Sequence, residues 1–180
     1  MNVRCSISSA AAEAVYSFPP VARADARVLI LGSMPGGVSL AAGQYYAHPQ
    51  NQFWPIMERL CGVRRSLAYP ARLQALQQQR VALWDVLQSC VRPGSLDAAI
   101  DHGSALPNDL PQLLRGLPGV ERVCCNGTTA YRTLQRFFGE RLRRDFPHLQ
   151  CLRLPSTSPA HASVPLAGKM LVWEAAFRDE

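Results

Sequence analysis

Lysine is almost absent from this chain of 180 residues: Lys169 stands alone against 18 arginines. Chemistry that needs a side-chain amine as nucleophile therefore has one candidate, because a guanidinium stays protonated. No apolar run approaches the ~18 residues of a membrane span, which excludes a helical transporter. The phosphate-binding G-x-x-x-x-G-K-[ST], the dinucleotide fingerprint G-x-G-x-x-G and the serine-hydrolase elbow G-x-S-x-G are all missing, which removes three common occupants of an α/β sheet. The six cysteines, at 5, 61, 90, 124, 125 and 151, form no C-x-x-C pair and have no histidine cluster beside them. Zinc and iron–sulfur spacings are thereby excluded, and neither metal nor cofactor is expected. Glu13 and the break at Phe18-Pro19-Pro20 interrupt any signal-peptide core, so free thiols in a reducing cytoplasm are expected.

What remains is ordinary globular material: 48% hydrophobic, 18% charged, with a net charge of +6. That length suits a single domain, here 1–180, with residues 1–24 as a partly packed N-terminal extension. The arginine surplus suits phosphate, whose oxygens a planar fork grips in pairs, although a compositionally biased genome would account for the same count.

Four apolar, β-branched runs read as strands: Arg27 to Leu31, Val81 to Leu87, Val120 to Cys125 and Leu149 to Leu154. Helical periodicity fills the gaps at Gln52 to Cys61, Ala71 to Arg80, Asn108 to Arg115, Thr128 to Phe138 and Leu166 to Phe177. Near-continuous apolar strands alternating with helices predict a three-layer α-β-α sandwich around a four-stranded parallel sheet. Cys124 and Cys125 must then point to opposite faces, so at least one is core. Ligands of such sheets sit beyond the carboxyl ends of the strands, where four segments meet. These are Gly32 to Phe53, Asp85, Asn126-Gly127 and Pro155 to His161. The polar stretch from Gly36 to Gln52 is too long and too rich in Tyr and His for a passive connector.

Gly-Ser-Met-Pro-Gly-Gly-Val-Ser at 32–39, leading to Gln-Tyr-Tyr-Ala-His-Pro-Gln-Asn-Gln-Phe-Trp at 44–54, resembles the first motif of the uracil-DNA glycosylase superfamily. Leu-Pro-Ser-Thr-Ser-Pro-Ala at 154–160 resembles the loop with which these enzymes enter the minor groove. Order, spacing and strand context agree from Val28 to His161. Within the superfamily, the details resemble the hypoxanthine-DNA (deoxyinosine) glycosylase branch. The resemblance implies a uracil-DNA glycosylase-like fold and a hydrolase that releases deaminated bases in base excision repair, hypoxanthine first. Release of uracil or mismatched bases, or binding of damaged DNA without catalysis, are its alternatives. Its implied partner is double-stranded DNA containing a deaminated base, with single strands open, no membrane, and a monomeric protein. One departure stands out: where relatives carry a water-holding Asn or an Asp in the first turn, this chain has Met34, whose thioether cannot polarise water.

The resemblance and the residue chemistry together assign roles. Asn51, whose amide both donates and accepts, is expected to position water, with helix N-capping as its competing role. Asn126 is expected to touch the base edge or leaving group, with turn capping as the competitor. Phe53 matches the phenylalanine that stacks on the flipped base in related enzymes. Gly32, Ser33, Met34, Pro35, Tyr46, His48 and Asp85 are expected to form the base pocket, His48 being a possible proton donor and Asp85 a base reader or a loop cap. Ser39, Ser156, Thr157, Ser158, Pro159, Ala160 and His161 are expected to meet DNA, the last three beside the lesion.

Overall fold

A computed structural model describes residues 13–178. The chain runs through β1 (Ala14–Tyr16), β2 (Val28–Gly32), α1 (Gly37–Ala42), α2 (Phe53–Cys61), α3 (Tyr69–Gln78), β3 (Val81–Asp85) and β4 (Leu87–Val91). A 3-10 turn (Asp97–Ala99) follows, then β5 (Leu106–Pro107), α4 (Leu110–Arg115), β6 (Arg122–Asn126), α5 (Thr128–Asp145), β7 (Gln150–Leu154) and α6 (Leu166–Phe177). Strands β3-β2-β6-β7 pair in that order, all parallel, as the expected four-stranded sheet.

Alternation along the strands sorts the core into two layers. Leu29, Leu31, Val123 and Cys125 pack with α4 and α5 through Leu110, Leu114, Ala130 and Leu134. Val28, Ile30, Leu83 and Cys124 face the opposite way, onto Ile56, Met57, Leu76 and Trp173 of α2, α3 and α6. The neighbours Cys124 and Cys125 are both fully buried, one in each layer. Trp173 also orients the chain beyond β7, its indole N–H donating to the Pro155 carbonyl at 3.0 Å.

Three details differ from the sequence reading. The run Val81 to Leu87 is not one strand: β3 ends at Asp85, and β4 leaves for a second, antiparallel sheet ordered β1-β4-β5. The chain turns because the Val86 and Leu87 amides follow the turn beyond β2, bonding to the Gly32 and Ser33 carbonyls. Asn108 then takes the Asp85 and Leu87 carbonyls with its side-chain amide, at 2.9 and 3.0 Å. The polar stretch Gly36 to Gln52 contains a helix, α1, closed by Gly43 at φ 61°. Helix α5 continues past Phe138 to Asp145, with Gly139 buried inside it.

Of the 1–24 extension, residues 13–24 are described. They belong to the fold: β1 pairs with β4, and Val21 bridges to Leu83. Residues 1–12, including Cys5, and 179–180 lie outside the described residues. No helix among the described residues is long and apolar enough to cross a membrane.

Candidate active site

Beyond the carboxyl ends of the parallel strands lies a cavity of about 370 Å³, and all four predicted segments line it. Asp85 is at its floor, only 3% exposed. Its place depends on Gly32, one strand over in register: a Cβ there would overlap the Asp85 carboxylate. Burial raises the Asp85 pKa to about 7, with nearby Asp97 adding to the shift and the Tyr45 hydroxyl and Arg92 opposing it. Asp85 is thus a pocket residue and not a loop cap. Its Oδ2 and the hydroxyls of Tyr45 and Tyr46 are buried without a well-aligned hydrogen bond, although Tyr45 lies close enough to Asp85, and Tyr46 to Asn126, to interact; both tyrosines line the cavity. Poorly satisfied buried polar atoms are costly, so this cluster at one cavity floor points to a polar ligand that completes it.

Tyr46 is held in a left-handed conformation, φ 55°, uncommon for a residue with a bulky side chain. The surroundings impose it. The Tyr45 amide donates to the Tyr69 hydroxyl at 2.8 Å, the Trp54 indole donates to the Tyr45 carbonyl at 3.1 Å, and the Ala47 amide donates to Ser39 Oγ at 3.2 Å. The result is a Tyr46 ring stacked on Phe53, centroids 3.9 Å apart and planes 18° apart. Phe53 therefore departs from the sequence reading: it is fully buried and absent from the cavity wall, which Tyr46 lines instead.

Asn51 lines the cavity just before Gln52, the N-cap of α2. Its Oδ1 accepts the Phe53 amide at 3.0 Å, closing a local turn that leads the chain into the helix. No hydrogen bond among the described residues engages its Nδ2. His48 lines the cavity as well, and its Nδ1 accepts the Gln50 amide at 3.1 Å, so a proton carried by the neutral ring sits on Nε2.

Asn126 faces the loop after β7. Its Nδ2 donates to the Thr157 hydroxyl and its Oδ1 accepts the Thr157 amide, both at 2.9 Å. One hydrogen and one lone pair remain on that amide. Thr157 is fully buried and its carbonyl accepts the Gln52 amide, so it ties β6, α2 and the loop together and is not a surface contact for DNA. Ser39 is similarly corrected: it is buried and fastens the Tyr-rich loop. Ser156 and Ser158 line the cavity and brace the loop by accepting the Ser158 and Ala160 amides. Pro159 and Ala160 stand exposed at the tip, while His161 lies outside the cavity wall. The His161 carbonyl accepts a 2.9 Å bond from Lys169, so the single lysine, expected to lie away from the site segments, is buried as a prop beneath this loop.

Ser33, Met34 and Pro35 line the cavity as expected. The sequence reading missed the segment after β4 that closes over them: Ser95, Leu96 and Asp97 line the same cavity, and the Ser95 hydroxyl accepts the Gly37 amide at 2.9 Å. This segment has no periodicity, and an acidic residue among Pro, Gly and Ser reads as a turn. Thr128 and Thr129, at the N-terminus of α5, complete the rim.

Comparison with known proteins agrees with this architecture. The family model described as the uracil DNA glycosylase superfamily matches residues 19–176. The chain is 34% identical over 164 residues to the hypoxanthine DNA glycosylase of Methanosarcina acetivorans, covering 89% of this chain and 96% of that protein. It is 36% identical over 125 residues to the hypoxanthine DNA glycosylase of Methanosarcina barkeri, covering 68% and 78% of the two. Among solved structures, a solution NMR structure from Methanosarcina acetivorans assigned as a uracil DNA glycosylase superposes with a TM-score of 0.77. The sequences are 31% identical, and the match covers 92% of this chain and 98% of that one.

Proposed function

This chain belongs to the uracil DNA glycosylase superfamily, and on that premise we propose that it hydrolyses the N-glycosidic bond of deaminated bases in DNA, hypoxanthine first. The observation that carries the reading is the cluster of buried polar atoms at the cavity floor, Asp85 Oδ2 with the Tyr45 and Tyr46 hydroxyls, none of them in a well-aligned hydrogen bond. Deamination replaces an exocyclic amine with a carbonyl and puts a proton on the adjacent ring nitrogen. Hypoxanthine, xanthine and uracil consequently share an N–H beside a C=O. The Asp85 oxygen can accept that N–H while the Tyr45 or Tyr46 hydroxyl donates to the carbonyl. Adenine and cytosine present a ring acceptor beside an amine donor, so an ionised Asp85 oxygen, which can only accept, would face a ring lone pair in place of an N–H.

The substrate is double-stranded DNA with the damaged nucleotide extruded, single strands being open, because the glycosidic bond is inaccessible within the stack. The flipped base stacks on Tyr46, backed by Phe53, at a cost in unstacking that this contact offsets. Asn51, with Nδ2 uncommitted, positions the water. Asn126 holds the loop whose exposed Pro159-Ala160 tip enters beside the lesion, and Gly32, Ser33, Met34 and Pro35 shape the wall around the base. The protein acts as a cytoplasmic monomer without metal or cofactor, and it is monofunctional: water, not an amine, attacks the sugar.

The test is single-turnover release from matched duplexes carrying one deoxyinosine, deoxyuridine or deoxyxanthosine. Hypoxanthine should leave fastest. Uracil released much faster than hypoxanthine would reject the ordering, and binding without release of any base would leave a damage-binding protein.

A further inference from the structure

Asp97 belongs to no motif, yet it is built into the site more firmly than several residues that do. Its carboxylate accepts the Ser33 hydroxyl at 2.7 Å and lies 4.0 Å from the Arg92 guanidinium. That guanidinium, with its side chain only 1% exposed, donates to the Pro35 carbonyl at 2.6 Å and more weakly to the Met34 carbonyl at 3.4 Å. Asp97, Arg92 and the turn beyond β2 therefore form one closed unit. Within that turn Met34 is 5% exposed and packs with Leu87, Cys90, Ile100 and Ala105, so the turn itself brings no hydrolytic group to the cavity. A carboxylate reaches the same place from the neighbouring segment, held by Ser33, the residue next to Met34.

Depth distinguishes the two carboxylates of the cavity. Asp85 is buried at the floor, where the base edge must go, whereas the Asp97 side chain keeps 38% of its surface and stands nearer the mouth. A nucleotide entering base-first puts its sugar at that shallower level. Resting on the glycosylase reading above, we infer that Asp97 is the carboxylate that faces the deoxyribose, stabilising its cationic transition state and receiving the proton of the attacking water.

The step balances without a further reagent. The bond from C1′ to the base nitrogen breaks, and its electron pair leaves with the base. Water then bonds to C1′ and gives a proton to Asp97, which returns it through solvent to the departing base. Charge placed in advance beside a developing cation is among the larger sources of rate enhancement. Arg92 just after β4, Asp85 on β3, Tyr46 from the loop before α2, Cys90 on β4 and Asp101 beyond the 3-10 turn are the titratable or charged groups interacting electrostatically with Asp97 or sharing its surroundings, and His48 lines the same cavity. Burial raises the Asp97 pKa, while the Ser33 hydroxyl bond and Arg92 oppose the shift. Activity should therefore fall on the acid side, beginning above the ordinary carboxylate range.

The decisive experiment compares two duplexes that cannot react, one with a cationic pyrrolidine in place of the deoxyribose and one with neutral tetrahydrofuran. The protein should prefer the cation by about 10-fold or more, and Asp97→Asn should abolish most of that preference while changing affinity for the neutral duplex by only about 2-fold. Hypoxanthine release should fall by about 10²-fold in the same variant, with the acid limb of its pH profile altered. Asp97→Glu, which keeps the charge, should restore much of the cation preference. A native protein without that preference, or an Asp97→Asn variant that keeps it, would overturn the inference. If Asp97→Asn does not fold, the native protein and Asp97→Glu decide the matter. Because the pyrrolidine comparison needs no base release, a native protein that binds the cation but frees no hypoxanthine would reject the substrate reading and leave the charge assignment standing.

Discussion

Asp85 is a carboxyl group that the fold holds in its neutral form over much of the acid range. The unfolded chain releases this proton near pH 4, whereas the folded protein keeps it to about pH 7. More protons bound in the folded state means that stability falls as pH rises between those values and levels off above pH 7. Asp97 contributes with the same sign. Asp85→Asn should therefore raise the melting temperature at pH 8 by several degrees and flatten its decline between pH 4 and 7, as calorimetry across that range would show. Base release should fall in the same variant, because an amide presents a different pattern to the N–H and C=O edge. For Asn51→Ala, two effects should separate. Loss of the bond to the Phe53 amide should cost about 1 kcal/mol of stability. Loss of the water-positioning amide should slow base release by about 10² or more with DNA affinity nearly unchanged, and equal losses of rate and affinity would argue against that role.

Among the elements, the loop after β7 is placed by bonds that converge from three directions: Asn126 on β6, Trp173 and Lys169 on α6, and the Gln52 amide at the start of α2. Asn126→Ala would strand the buried Thr157 amide, so it should cost about 2–3 kcal/mol. It should also lower the preference for lesion over undamaged duplex more than affinity for undamaged DNA, since the Pro159-Ala160 tip would lose its anchor; competition binding measures both. Helix α5 starts at the cavity rim with Thr128, and Arg132 and Arg136 continue the same exposed face one and two turns on. Many other arginines are paired with acids, as in Arg23 with Asp25, Arg27 with Glu121 and Arg65 with Glu58. If this face follows the DNA backbone, Arg132→Ala and Arg136→Ala should each reduce the slope of log affinity against log salt by about one and weaken binding equally for damaged and intact duplex.

For the molecule as a whole, the scarcity of lysine becomes a mechanistic statement. A bifunctional glycosylase attacks the sugar with an amine and goes on to strand cleavage through a Schiff base. Lys169 is buried, its ammonium bonded to the His161 carbonyl beneath the loop, and it is not part of the cavity wall. The product should be an intact strand carrying an abasic site, nicked only by alkali or a separate endonuclease. Borohydride added during turnover should trap no protein–DNA adduct; a trapped species that disappears in Lys169→Ala would show an amine mechanism instead.

Sequence periodicity by itself determined the framework. Alternating apolar strands and amphipathic helices specify a parallel sheet covered on both faces, and all four strands are found where those runs lie, within about two residues at each boundary. That framework was enough to bring Gly32, Asp85, Asn126 and the 156–160 loop together, because strand ends in a parallel sheet share one edge. Tertiary structure alone decided which atoms face the cavity. Phe53 and Tyr46 are seven residues apart and equally aromatic, and only the left-handed backbone at Tyr46 puts one ring behind the other. Asp97 was illegible for a related reason: it lies 64 residues from Ser33, in a turn without periodicity, and its chemistry exists only after β4 leaves the parallel sheet and returns it to the first turn. Local sequence encodes which face of an element is apolar, whereas a polar site assembled from distant turns depends on contacts that no local pattern records.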